Sequence, residues 1–254
     1  MIAIFKRSLL CALAFGTALS VSVAAKAAEV KIIASNAVKE AYRELLPAFE
    51  KASGNKVTVD WGATVDIVKR VQSGEKVDVI VVSAAGIDGL VKEGKLDPMT
   101  RASAAKSSIG VAVRAGLPKP DISTSDALKK TLLGSKTILV SGGLSGDYML
   151  GVFRKLGIAD AIKGKIKQLS ADHAPGEALG QGEGDIAFTQ TSELLPYKGI
   201  TYVGPLPNDV QLVTLFSLAA TRNASSPDAA KALIKYVTSP AATAVLKKHG
   251  LEPG

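Results

Sequence analysis

The residues best placed to do chemistry are hydroxyl, amide and glycine residues that follow apolar strands and precede helices. Ser35 and Asn36 follow Ile32-Ile33-Ala34. Thr64 follows Val57–Trp61 and Gly62-Ala63, and Ser145 and Gly146 sit in Gly142-Gly143-Leu144-Ser145-Gly146 after Ile138-Leu139-Val140. The first turn of a helix leaves backbone N–H groups without intrahelical acceptors and carries partial positive charge, so a small or hydroxyl residue there gives an oxyanion access to donors. A hydrogen bond to a charged oxygen contributes about 1.5–3 kcal/mol. On that scale about five to seven neutral donors hold an anion at micromolar affinity or better after association costs of about 4–15 kcal/mol. Capping the following helix is an equally good use of Ser35.

Three other patterns bear on chemistry. Gly143-Leu144-Ser145-Gly146-Asp147 approaches the nucleophile pattern G-x-S-x-G, with Asp147 in the last place, so Ser145 with His173 as base is the hydrolase alternative. Arg114 ends Val111-Ala112-Val113-Arg114 near a predicted crossover, where it would grip a carboxylate in a two-pronged pair or simply form a surface ion pair. His173 lies in the loop Asp172-His173-Ala174-Pro175-Gly176 and would donate to an anion. With two separated histidines and a lone Cys11, no metal site or cofactor motif is expected. Gly180-Gln181-Gly182-Glu183-Gly184 precedes a strand, so it fails the dinucleotide pattern.

Placing these residues requires alternating strands and helices. The 254-residue chain opens with Lys6-Arg7, an apolar run from Ser8 to Val23 and Ala25-Lys26-Ala27, which reads as an export signal over 1–27 cleaved near Ala27. A periplasmic location follows. Removing that leader takes the formal charge from +8 to about +5, spread over scattered lysines, which disfavours nucleic acid as a partner and mildly favours an anionic ligand. Strands are predicted at Glu29–Ala34, Lys56–Trp61, Val77–Ser83, Ile109–Arg114, Thr137–Val140 and Asp185–Thr189. Helices are predicted at Ala37–Ser53, Val65–Ser73, Ser125–Leu133, Asp147–Leu156, Ser226–Thr238 and Pro240–His249. The fold class is α/β, with lobe 1 over 28–108 and 211–254, lobe 2 over 109–210, and crossovers near Ala84–Ala85, Ile109–Arg114 and Val210–Leu215.

At Ala34-Ser35-Asn36, Gly62-Ala63-Thr64, Val77–Ala84, Ser145-Gly146, Gly182–Phe188 and Thr238-Ser239-Pro240 the chain resembles the periplasmic molybdate-binding proteins of ABC importers. The resemblance implies the type II periplasmic binding fold, two lobes each built on a mostly parallel sheet flanked by helices. It also implies a small oxyanion of the molybdate or tungstate kind in the cleft, an inner-membrane permease as partner, a monomer, and no catalysis. Within that resemblance, the family serines fall on Ser35 and Thr64, its second-lobe backbone donors on Ser145 and around His173–Gly176, and its tyrosine on Gln190. That last exchange, with Ser145, His173 and Arg114 as added donors, would also suit a larger organic carboxylate.

Overall fold

The computed structural model describes residues 27–254, so the predicted leader, apart from Ala27, lies outside the described residues. The first half of the chain runs β1 (Glu29–Ser35), α1 (Lys39–Ser53), β2 (Lys56–Gly62), α2 (Thr64–Gln72), β3 (Val79–Ser83), α3 (Ala84–Lys92), β4 (Ala102–Arg114), α4 (Ser125–Gly134), β5 (Ile138–Val140) and α5 (Leu144–Lys155). There follow α6 (Ala159–Ile162), β6 (Ile166–Gln168), α7 (Pro175–Gly180), β7 (Ile186–Gln190), β8 (Ile200–Pro205), β9 (Val213–Ala220), α8 (Pro227–Val237), α9 (Thr243–Lys248) and β10 (Glu252–Pro253).

Period-two burial organises the first half-sheet. Ile32, Ala34, Val79 and Val81 face a core built with Tyr42, Leu45, Leu46 and Phe49 of α1 and Leu233 and Val237 of α8. The alternate residues Ile33, Ile80 and Val82 meet Ile67 and Val71 of α2 and Ile87 and Leu90 of α3 on the opposite face. Each such large apolar side chain stabilises the fold by about 1.5–3 kcal/mol on burial, which is why both sheet faces carry helices. In the second half, Val140, Ile186 and Phe188 pack with Met149, Val152 and Phe153 of α5, while Leu139 and Ala187 meet Ala178 and Leu179 of α7.

The strand order is β2-β1-β3-β9-β4-β7-β5-β6, with β8 and β10 also paired to β4. The trios β2-β1-β3 and β6-β5-β7 are parallel, and β4 runs antiparallel to β9 and β7. One long strand thus joins two half-sheets: β4 pairs with β9 over Ala102–Ser108 and with β7 over Ile109–Val113. The result is a two-lobed α/β fold in which the ends of β1, β5 and β7 open onto one cleft.

Three sequence expectations need correction. Strand β4 begins at Ala102 instead of Ile109, because Ser103, Lys106, Ser107 and Ser108 hide its alternation. Ala84 and Ala85 open a helix capped by Ser83 instead of forming a crossover. The two glycines of α3 obscure the helix in the sequence, yet Gly86 fits because a Cβ there would lie 3.1 Å from Val82 Cγ2. Helix α5 starts at Leu144, which puts Ser145 and Gly146 in its first turn.

Candidate functional site

Ser35 sits at the end of β1, and its Oγ accepts a 3.3 Å hydrogen bond from the Ala37 N–H. The cap uses a lone pair and leaves the hydroxyl proton for another acceptor. Thr64 opens α2, where its Oγ1 accepts the Ser83 N–H at 3.3 Å under the same logic. From the other half-sheet, Ser145 arrives on the first turn of α5, where the Gly146 N–H bonds the Gly143 carbonyl at 3.0 Å and the N–H groups before it have no intrahelical acceptor. These three side chains line one pocket of about 60 Å³ with Asn36, Ser141, Gln190, Glu193 and Thr214. The two halves meet closely at its mouth, where a Cβ on Gly143 would lie 3.7 Å from Ala63 Cβ.

Gln190 ends β7 and is 5% exposed. Its Nε2 donates to Thr214 Oγ1 at 3.1 Å, while its Oε1 is buried without a partner. Ser192 Oγ is likewise buried and unpartnered. An unmet buried polar atom costs about 1–3 kcal/mol, so these atoms mark a place where a ligand or water belongs. Turning the Gln190 amide would let Thr214 donate to Oε1 and aim the NH₂ at an oxyanion.

Glu193 is the one ionisable residue lining this pocket. It follows β7 by a single turn, accepts the Thr189 hydroxyl proton, and sits half-buried. Burial pushes its carboxyl above the ordinary glutamate range, against the opposing effect of hydrogen bonds from the Thr189 hydroxyl and the Gln190 backbone. Thr189 Oγ1 also lies 3.5 Å from Ser145 Oγ, which is 2.7 Å from Ser141 Oγ. A chain of hydroxyls therefore leads from the pocket wall to a carboxyl group.

Glu193, Asn36 and Ala63 are shared with a wider cavity of about 490 Å³, lined also by Lys39, Trp61, Arg70, His173 and Tyr197. That volume lies in the range of small-molecule sites. His173 Nε2 faces Glu183 at 3.4 Å. Lys167 foremost, with His173 behind it, holds Glu183 below its usual range. Arg70 is engaged by Glu75 and Asp60.

Of the residues singled out in the sequence, Ser35, Asn36, Thr64, Ser145 and Gln190 share the inner pocket, and His173 lines the outer cavity. Gly146 serves differently: a Cβ there would fall 1.8 Å from the Ser141 carbonyl oxygen, so glycine lets α5 start tight against the β5 loop. Arg114 is misplaced by the sequence reading. In the antiparallel β4–β7 register Ile109 faces Gln190 and Val113 faces Ile186, which carries Arg114 about 17 Å beyond the cleft end of the sheet. It borders a separate cavity near Asp185, 3.9 Å away. The hydrolase alternative also lacks its geometry, since Ser145 bonds Ser141 and Thr189 while His173 turns to Glu183. Glu193, Thr189, Ser141 and Thr214 were missed, although Glu193 is the lone acid in the run Thr189-Gln190-Thr191-Ser192-Glu193 after an apolar strand.

The family model described as bacterial extracellular solute-binding protein matches residues 30–252. The chain belongs to that family. Among its relatives, aconitate isomerase of a Pseudomonas species is 32% identical over 251 residues, covering 95% of each chain. The Azotobacter vinelandii molybdate-binding protein ModA is 24% identical over 236 residues, covering 89% of this chain and 91% of that one. A solved Azotobacter vinelandii periplasmic molybdate-binding protein superposes with a TM-score of 0.73 at 18% identity, covering 87% of this chain and 98% of that one. The resemblance to molybdate-binding proteins and the two-lobed fold hold. The expectation of a chain without catalysis does not, because a relative 32% identical over 95% of the chain carries an enzyme's name.

Proposed function

We infer that the cleft binds a small unsaturated polycarboxylate of the aconitate class and interconverts its geometric isomers by a proton shift, with Glu193 as the proton-carrying group. The observation that carries this reading is the single half-buried carboxyl in a pocket whose other polar lining residues are neutral. One ligand carboxylate would sit among Ser35, Thr64, Ser145, Gln190 and the first turn of α5, and the rest of the molecule would extend into the outer cavity toward Lys39 and His173.

The chemistry needs one base. Ionised Glu193 takes a proton from the methylene carbon, the electron pair moves into the adjacent C=C–carboxylate system, and the double bond shifts. The same proton, returned to the former vinyl carbon, completes an isomerisation with no net oxidation. Hydroxyls and helix-end N–H groups that hold the carboxylates stabilise the charge that develops there.

A second reading is supported by the size and lining of the inner pocket, about 60 Å³ with hydroxyls from both half-sheets. In it the protein captures a tetrahedral oxyanion such as molybdate in the periplasm, after export on the leader over 1–27, and hands it to a permease. The halves, 28–108 with 211–254 and 109–210, would close about β4 near Ile109 and the return near Val210.

Proton NMR of cis- and trans-aconitate incubated with the protein tests the first reading. Interconversion is expected, with Glu193→Gln about 10²–10⁴-fold slower. A rate equal to the buffer blank overturns it. Calorimetry with molybdate and sulfate tests the second, which fails if neither gives saturable heat.

A further inference from the structure

Four side chains form a continuous hydrogen-bonded chain through the wall of the inner pocket: Ser141 Oγ to Ser145 Oγ at 2.7 Å, Ser145 Oγ to Thr189 Oγ1 at 3.5 Å, and Thr189 Oγ1 to the Glu193 carboxyl. Ser141, Ser145 and Glu193 all line the pocket. Thr189 is fully buried behind them. Each hydroxyl has one proton to give, so the direction in which the chain donates is set at its carboxyl end.

With Glu193 ionised, Thr189 donates to it, Ser145 donates to Thr189, and Ser141 donates to Ser145. The pocket then faces oxygen lone pairs. With Glu193 protonated on the oxygen facing Thr189, that proton is donated to Thr189 Oγ1, Thr189 donates to Ser145, and the Ser145 hydroxyl turns its proton toward the cavity. An oxyanion prefers the second arrangement.

We propose that the Ser141–Ser145–Thr189–Glu193 chain couples anion binding to protonation of Glu193, so that closing on an oxyanion takes up one proton from solvent. The inference rests on the cleft being an anion site. Other charged groups share the cavity with Glu193: Lys39 and Glu40 on α1, Asp66 and Arg70 on α2, Asp172 and His173 in the loop before α7, Glu177 on α7, and Tyr197 after it. Any of these groups could mimic the coupling, so the Glu193 carboxyl must be tested by itself. Burial already biases Glu193 toward its neutral form, the direction that the coupling requires.

The coupling also explains how one carboxyl can serve binding and catalysis. The protonated form holds the anion more tightly, and the ionised form is the one that removes a proton. Affinity and turnover then respond to pH in opposite senses.

The test is calorimetry of the purified protein with propane-1,2,3-tricarboxylate, a saturated probe that cannot isomerise, in buffers of different ionisation enthalpy above the Glu193 titration. Wild type is expected to take up close to one proton per anion, with affinity falling about tenfold per pH unit. Glu193→Gln binds with no uptake and a flat pH profile. Thr189→Val loses most of the uptake, and Thr189→Ser restores it, which separates the hydroxyl chain from a simple charge effect and from damage to the fold. Binding without proton uptake in wild type overturns the coupling and leaves the anion site standing. Undiminished uptake in a folded Thr189→Val overturns the hydroxyl route, and uptake surviving in Glu193→Gln assigns it to another group of the cavity and overturns the role of Glu193. No binding of the tricarboxylate or of molybdate overturns the anion site and this inference together.

Discussion

Thr189 at the buried end of β7 donates its hydroxyl proton to Glu193, four residues further along the chain. The pair places a carboxyl where a molybdate-type pocket would need only neutral donors. Burial raises the pKa of Glu193 in the fold, so the native chain holds its proton to higher pH than the unfolded chain does. Stability is therefore lost as pH rises from the ordinary glutamate range through the folded value.

Replacing the acid by its neutral isostere should remove that loss. Thermal melts of Glu193→Gln are expected to run above wild type at pH 8, by about 2–4 °C for each kcal/mol recovered, and to converge with it below about pH 4. A variant that melts below wild type at both pH values would show that the carboxylate itself holds the turn together.

The isomerase reading and the proton-linked binding together predict a specific split in the pH profiles. The ionised form of the free protein governs kcat/KM, and the ionised form of the complex governs kcat. Since the bound anion favours protonated Glu193, the rise in kcat should fall at higher pH than the rise in kcat/KM, with KM smallest on the acid side. Coincident midpoints would separate the carboxyl from binding.

Asp78 is the structural counterpart to Glu193. It is 2% exposed and accepts from the Lys31 N–H at 2.8 Å, the Ser226 N–H at 3.3 Å and the Ser225 N–H, joining β1 and β3 to the start of α8. Asp78→Ala leaves three donors unmet, a loss of about 3 kcal/mol or more, and lowers the urea midpoint by about 1 M or more. Asp78→Asn keeps one acceptor oxygen and should fall between.

Gly146 tests the tight entry to α5. With its Cβ position 1.8 Å from the Ser141 carbonyl oxygen, Gly146→Ala must displace either the β5 loop or the helix. A destabilisation of about 1–3 kcal/mol is expected in denaturant melts. Anion affinity should drop with it, because Ser141 and Ser145 both move.

The strand-to-helix junctions were legible in the sequence because at each of them an apolar strand runs straight into small or hydroxyl residues, Ser35-Asn36, Gly62-Ala63-Thr64 and Gly142–Gly146. Glu193 was not, since no local pattern shows that a 3-10 turn after β7 swings its side chain back to the wall between two cavities. Arg114 misled for the opposite reason. Its place at the end of an apolar strand looked like a hinge, but strand direction decides which end of the sheet a terminus reaches, and the sequence does not state that β4 runs antiparallel to β7. Helix α3 was hidden by two glycines, and the packing of one of them, Gly86, against Val82 and Val68 appears only once the chain is folded.

Thr64 and Arg114 give the sharpest contrast for the cleft. Thr64→Val keeps the volume of the side chain while removing both the acceptor for the Ser83 N–H and the proton available to a ligand. A hydrogen bond to a charged oxygen contributes about 1.5–3 kcal/mol, so anion affinity measured by calorimetry should fall about 10- to 150-fold, and Thr64→Ser should restore most of it. Arg114→Ala should bind as wild type, although a free guanidinium attracts anions more strongly than a hydroxyl does, because its cavity lies at the opposite end of β7. If Arg114→Ala weakened binding as much as Thr64→Val, the ligand would have to sit in the Arg114 cavity, and the cleft reading would give way.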